Sequence, residues 1–312
     1  MRSFAKPRAL RPGDRIGVCA PASAIDAEAL ERGFDELRGL GFEPVASEDI
    51  LEQSGFCAGS PARRLAELQR LFEDESVAGV FAARGGAGII QLLPGLDVAR
   101  LAAHPKLLLG YSDLTFLHAL LNNAGLVTFH GPLAARELAD QNYDRESLLA
   151  ALTGDLDHTA NQTGDLLALG EGRAEGRLLG GCLSILCAGL GTPWALRIPV
   201  AEDEKVVLFL EDVNEAPYRI DRMLRQLRAA SLFDRVGGIV FGEMVGCWPD
   251  ADADYTLEDV IREALAGLDI PIAIGLPSGH CPQGITLPLG VAAGLECAGD
   301  AGQFEIRERG VS

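Results

Sequence analysis

KLLLGYSDLTFLHALL, Lys106–Leu121, changes its hydrophobic period part-way along. Leu107, Leu108 and Leu109 form an apolar run too brief for an independent helix, whereas Leu114, Leu117, Leu120 and Leu121 recur at helical spacing. The stretch reads as a buried strand giving way to a helix, with Ser112 on the turn between them. Two readings of that serine stand open. Its oxygen can cap the helix by accepting a backbone N–H of the first turn. Alternatively it is a nucleophile at the carboxyl end of a strand, with the positive end of a helix behind it and the next backbone N–H placed to stabilise an oxyanion.

Outward from this turn the alternation of strand and helix continues. Upstream come the apolar strand IGVCA, a helix from about Asp26 to Leu40, and a second strand near Phe42 to Ala46. Ser60-Pro61 then supplies a cap and an N1 proline for a helix carrying Leu65, Leu68 and Phe72. VAGVFAAR reads as a buried strand, followed by the glycine-rich turn ARGGAG and a short helix; downstream of Ser112 lies the strand LVTFH. Strict alternation implies parallel pairing with helices on both faces. The first half, residues 1–153, is therefore expected to be an open α/β domain of Rossmann or flavodoxin-like type.

From Thr153 to Gly176 the pattern fails, because TGDLDHTANQTGDLLALGEGRAEG is rich in Gly, Asp and Thr. Residues 154–175 are read as a linker or flap between domains. Beyond it come RLLGG with an apolar helix, the strand VVLFLE, a helix from Pro217 to Ala230, the strand VGGIVFGEMVG, a helix around Leu257 to Leu268, the strand PIAIGLP and a strand-rich tail from Ile285 to Ile306. Residues 176–312 are thus expected to form a mixed β/α domain around an irregular, partly antiparallel sheet.

Composition narrows the function. With 312 residues, 48% of them hydrophobic, the chain can bury a sizeable core. A formal charge of −18 argues against nucleic-acid and anionic-membrane partners, which need a basic face. No signal-peptide core precedes Pro12 and Gly13, and no run approaches a membrane span, so a cytoplasmic location is expected. The seven cysteines are scattered without a C-x-x-C pair and read as reduced core residues. No H-E-x-x-H or His/Cys cluster suggests a metal, and no cofactor is expected.

A serine nucleophile needs a base, and the base needs a carboxylate to hold its tautomer. Of the five histidines, His104 stands in a surface-like His-Pro turn and His158 in the linker. His118 falls about a turn and two thirds beyond Ser112 and points away from it, while His130 ends the strand LVTFH at the same sheet edge and remains a competitor. His280 stands in PSGHCPQGITLPLG, an irregular loop directly after an apolar strand. Glu211 and Asp212 end the strand VVLFLE, with Glu215 as a competing carboxylate near the next helix N-terminus. ARGGAG lacks dinucleotide spacing, but its backbone N–H groups can approach a developing negative charge beside Ser112.

In order along the chain, ARGGAG, LLGYSDLTFLHALL, TFHGPL, RLLGGCLSIL, LFLEDVNEAPYRIDRML, GIVFGE and PSGHCPQGITLPLG resemble the LD-carboxypeptidase family of serine peptidases, from about Gly13 to Leu289. The resemblance implies Ser112 as nucleophile, Glu211 as triad carboxylate and His280 as general base, with the backbone N–H of Asp113 and one from the Arg84-Gly85-Gly86 turn, Gly86 chosen over Gly85, as the oxyanion hole. Leu114 occupies the place of the second glycine of a G-x-S-x-G elbow, so the triad looks assembled across two domains on a fold other than the α/β-hydrolases. Many relatives carry asparagine where this chain has Cys182, which puts pocket specificity in question but leaves the triad untouched.

The implied reaction is removal of the terminal D-alanine from a murein tetrapeptide, by a homodimeric enzyme whose partner is the small peptide itself. For the substrate's terminal carboxylate Arg84 is the candidate, with Arg219 and Arg222 read as surface ion-pair residues. The alternative is a microcin C immunity-type peptidase acting on an aminoacyl-nucleotide conjugate, for which Trp194 or Trp248 would supply an aromatic platform.

Overall fold

The computed structural model describes residues 4–155, 166–198 and 204–312. His158 lies outside the described residues.

The first half is built on β1 (Arg15–Cys19), β2 (Glu43–Val45), β3 (Gly79–Ala82), β4 (Leu107–Gly110) and β5 (Thr128–His130). These pair in parallel in the order β5-β4-β3-β1-β2. Between them run α1 (Ala27–Gly39), α2 (Pro61–Glu73), α3 (Val98–Ala102) and α4 (Thr115–Asn123), with α5 (Arg145–Thr153) after them. The helices start where local chemistry dictates. Asp26 caps α1 by accepting the Ala29 N–H, and Ser60 caps α2 with Pro61 in its first turn.

Side-chain alternation in the strands sends neighbours to opposite faces. Phe81, Leu107 and Leu109 join the core with Leu30 and Leu37 of α1 and Leu148 of α5, whereas Val80, Ala82 and Leu108 pack with Leu68 and Leu71 of α2 and Leu117 of α4. Helices therefore cover both faces, and β3 and β4 are apolar throughout because neither face meets water.

The second half is the expected mixed β/α domain with a partly antiparallel sheet, but that sheet is closed rather than irregular. Among the described residues, seven strands close into a barrel. Its members are β6 (Leu166–Gly170), β7 (Gly172–Cys182), β8 (Val206–Val213), β9 (Val236–Val245) and β10 (Ile272–Leu276). The chain then contributes β11 (Leu287–Leu289) to the first sheet, antiparallel to β5, before β12 (Ala292–Ala298) and β13 (Ala301–Ile306) complete the barrel. β7 to β10 pair in parallel and the remaining pairs are antiparallel. Helices α6 (Leu183–Gly189), α7 (Pro217–Ala229) and α8 (Leu257–Ala264) pack their apolar sides into the same core.

The strands β6 and the beginning of β7 fall inside the stretch read as linker. Leu166 and Ala168 are buried, and their partners Gly302 and Ala273 lie far along the chain, so local composition hid the strand. Among the described residues no helix is long and apolar enough to cross a membrane.

Candidate active site

Ser112 leaves β4 through backbone that only a forced turn explains. Tyr111 is extended, Ser112 takes φ of +67°, and a single 3₁₀ turn, Ser112–Leu114, leads into α4. The Ser112 side chain caps neither that turn nor α4, which removes the helix-cap reading. A left-handed non-glycine residue costs about 1–2 kcal/mol, and strain of this kind clusters at functional sites.

The glycine-rich turn packs on this serine. A Cβ on Gly85 would stand 2.8 Å from Ser112 Cβ and 3.1 Å from its Oγ, so the approach requires glycine. Two side chains fix the turn. Buried Arg64 donates to the carbonyls of Pro21 (2.7 Å) and Gly88 (2.9 Å), and Asp113 Oδ2 accepts the Ile89 N–H at 2.8 Å. Burial pushes the Asp113 carboxyl up to about 6, against the Ile89 N–H and the Arg64 charge. Gly86, with φ of +97°, follows in the same turn.

Glu211 belongs to β8 and is wholly buried. Its Oε2 meets His280 Nδ1 at 2.7 Å. His280 lies on the loop between β10 and β11, where Gly279, at φ of +113°, passes so close that a Cβ there would stand 2.7 Å from the same oxygen. Burial opposes the Glu211 charge, but the two histidines beside it outweigh burial and hold its carboxyl well below the usual range. Burial likewise works against a charged His280, yet Glu211, with Asp212 and Glu137 more weakly, raises it above the ordinary imidazole value.

Aromatic packing joins the serine's strand to the histidine's loop. The ring of Tyr111, the residue before Ser112, stands edge-on to His280 with centroids 4.7 Å apart, and its hydroxyl donates to Glu137 Oε1 at 2.8 Å. From the other side, Thr115 Oγ1 accepts the Cys182 N–H at 3.0 Å, and Cys182 is the register partner of Glu211. Tyr111, directly before the serine, the carboxylate and the imidazole thus lie together where the open sheet abuts the barrel. This arrangement suits acyl transfer, with a strained hydroxyl, a histidine and an orienting acid.

The other histidines are placed elsewhere. His104 is exposed. His118 is fully buried and bonds Thr128 Oγ1 and the Gly110 carbonyl, each at 2.9 Å. Since a carbonyl only accepts, His118 Nε2 carries the proton, and burial keeps this ring neutral, its pKa lowered to about 3. His130 is buried beside Glu211, its Nε2 3.6 Å from Oε1.

Glu215 pairs with exposed Arg219 at 3.4 Å and does not join the cluster, and Arg222 lies over Tyr218 on the same helix surface. Arg84 is exposed on the glycine-rich turn and donates to the Ala24 carbonyl at 2.8 Å. Cys182 is a buried thiol pushed up by burial, 3.3 Å from Ser184 Oγ and 3.7 Å from Asp212 Oδ1. Trp194 packs against the core and Trp248 is half exposed. Sequence reasoning missed Tyr111 and Glu137; the tyrosine directly before the serine was the available signal.

Comparison with known proteins supplies an independent line. Family models described as the LD-carboxypeptidase N-terminal and C-terminal domains match residues 16–131 and 175–295. The chain is 36% identical over 298 residues to the probable murein peptide carboxypeptidase of Bacillus subtilis (strain 168), covering 94% of this chain and 92% of that protein. It is 34% identical over 295 residues to the murein tetrapeptide carboxypeptidase of Pseudomonas aeruginosa, covering 90% and 93%. A solved structure of the microcin self-immunity protein MccF, in complex with glutamyl sulfamoyl guanosine, shares the fold with a TM-score of 0.85 at 24% identity, over 98% of this chain and 99% of that one.

Proposed function

Because the chain belongs to the LD-carboxypeptidase family, we propose that it is a serine carboxypeptidase that releases the terminal D-alanine from murein tetrapeptides. The observation that carries the serine mechanism is the 2.7 Å contact between His280 and a fully buried Glu211, beside the left-handed Ser112.

Ser112 Oγ attacks the carbonyl of the L,D-amide as His280 Nε2 takes its proton. Glu211 holds the imidazole through Nδ1–H and stabilises the cation that forms. The backbone N–H groups of Asp113 and Gly86 receive the oxyanion, a role worth several kcal/mol in enzymes of this type. His280 then protonates the departing D-alanine amine, and water, activated by the same base, releases the acyl group. Arg84, exposed on the turn beside the serine, is the guanidinium for the substrate's terminal carboxylate. The enzyme works in the cytoplasm as a homodimer, without metal or cofactor.

Mass spectrometry of a murein tetrapeptide incubated with the wild type and with Ser112→Ala tests this reading. Tripeptide and D-alanine are expected from the wild type alone. A folded wild type that leaves the tetrapeptide intact and hydrolyses an aminoacyl-adenosine conjugate would move the substrate to the microcin type. Equal turnover by Ser112→Ala would remove the nucleophile.

A further inference from the structure

Glu211 is a buried carboxylate with two oxygens, and His280 serves only one of them. The other, Oε1, has no hydrogen-bond partner among the described residues. Both ring nitrogens of His130 are also buried without one among those residues, and His130 Nε2 stands 3.6 Å from that same oxygen. An unpaired charged oxygen in a dry interior costs more than an unpaired neutral group, so two orphans facing one another across a gap slightly longer than a hydrogen bond form an incipient pair. Hydrogen bonds around catalytic groups are often long in a ligand-free site and tighten with substrate.

The geometry points to His130 as a positioning residue that donates Nε2–H to Glu211 Oε1, making Glu211 the centre of a His280–Glu211–His130 chain. This inference rests on the triad proposed above and extends it inward by one residue. The ring is held for the task. His130 closes β5 opposite Leu287 of β11, Phe209 of β8 stands edge-on to it at 5.0 Å, and Tyr111 flanks it at 5.5 Å. His118, 6.2 Å away, has both nitrogens engaged and cannot take the role. With donors on both oxygens the carboxylate cannot swing about its Cγ–Cδ axis, so the oxygen facing His280 stays aligned through the proton transfers.

Two measurements decide it. In ¹⁵N-histidine spectra of the resting wild-type protein, His130 Nε2 is expected to carry a proton; a bare Nε2 with the proton on Nδ1 would put lone pair against lone pair and overturn the proposal. In kinetics, His130→Leu is expected to lower kcat by about 10–100-fold with KM little changed, the usual size for outer partners of a functional group. His130→Gln, which retains an N–H, is expected to recover most of that loss. Wild-type kcat in His130→Leu, or equal losses in both variants, would leave His130 a packing residue. Should either variant fail to fold, the tautomer still decides. Should the wild type lack peptidase activity altogether, the reaction is misassigned while the tautomer still tests His130.

Discussion

At Ser112 the conformation and the chemistry make opposite demands. Glycine would relieve the φ of +67° but carries no hydroxyl. Ser112→Gly is therefore expected to be more stable than Ser112→Ala by about 1 kcal/mol, both being inactive, and urea unfolding of the pair measures the difference. Equal midpoints would mean the turn is unstrained. The neighbouring charges set a pH dependence. As the proposed base, His280 must be neutral to accept a proton, and Glu211 raises its pKa above the ordinary value of about 6.5. kcat/KM should therefore rise with pH through a limb above that value, and Glu211→Gln should move the limb downward while reducing kcat by about 10³–10⁴-fold. An unmoved limb would assign it to another group. Stability follows the same signs. The His280 contribution is complete below its unfolded pKa and is lost as pH climbs through the raised folded value, whereas that of Glu211 is present above the ordinary carboxyl range and is lost as pH falls towards its depressed one.

Between elements, the Asp113 side chain ties the glycine-rich turn to the elbow through Ile89 N–H. Asp113→Ala is expected to cost about 1–3 kcal/mol by leaving that donor buried and unpaired, with Asp113→Asn recovering most of it through its carbonyl oxygen. Thermal unfolding of the two variants checks this, and identical losses would mean that the N–H is not what matters. Elements of this local kind were readable from the residues: Ser60-Pro61 announced α2, and the leucine spacing after Ser112 announced α4. The barrel was not, because closure depends on β6 meeting β10 and β13, pairings that no window of sequence contains. The site divides in the same way. Strand ends singled out Ser112, Glu211 and His280, but pattern alone left Glu215 and His130 as competitors, and the family resemblance separated them. Tyr111 and Glu137 stayed hidden because their contacts arise only when the end of β4, the segment after β5 and the His280 loop come together.

On the scale of the molecule, the two halves are laced together. β11 leaves the barrel to pair with β5, Leu178 exchanges backbone hydrogen bonds with Gly290 and Val291, and Asn123 bonds the Ala195 carbonyl and Arg197 N–H. One core runs through both sheets. Unfolding should therefore be a single transition. Fluorescence of Trp194 and Trp248, both in the second half, should coincide with far-UV circular dichroism from the whole chain, and separated midpoints would show two independent units. The late crossing of β11 also orders events during synthesis. A nascent chain complete through β10 already holds the serine turn and the buried glutamate, but the loop with His280 is fastened to the first half by Gln283, Gly284 and Thr286 and by β11, all of which follow it. Of the three proposed triad residues, the base is thus the last to be anchored as the chain is made.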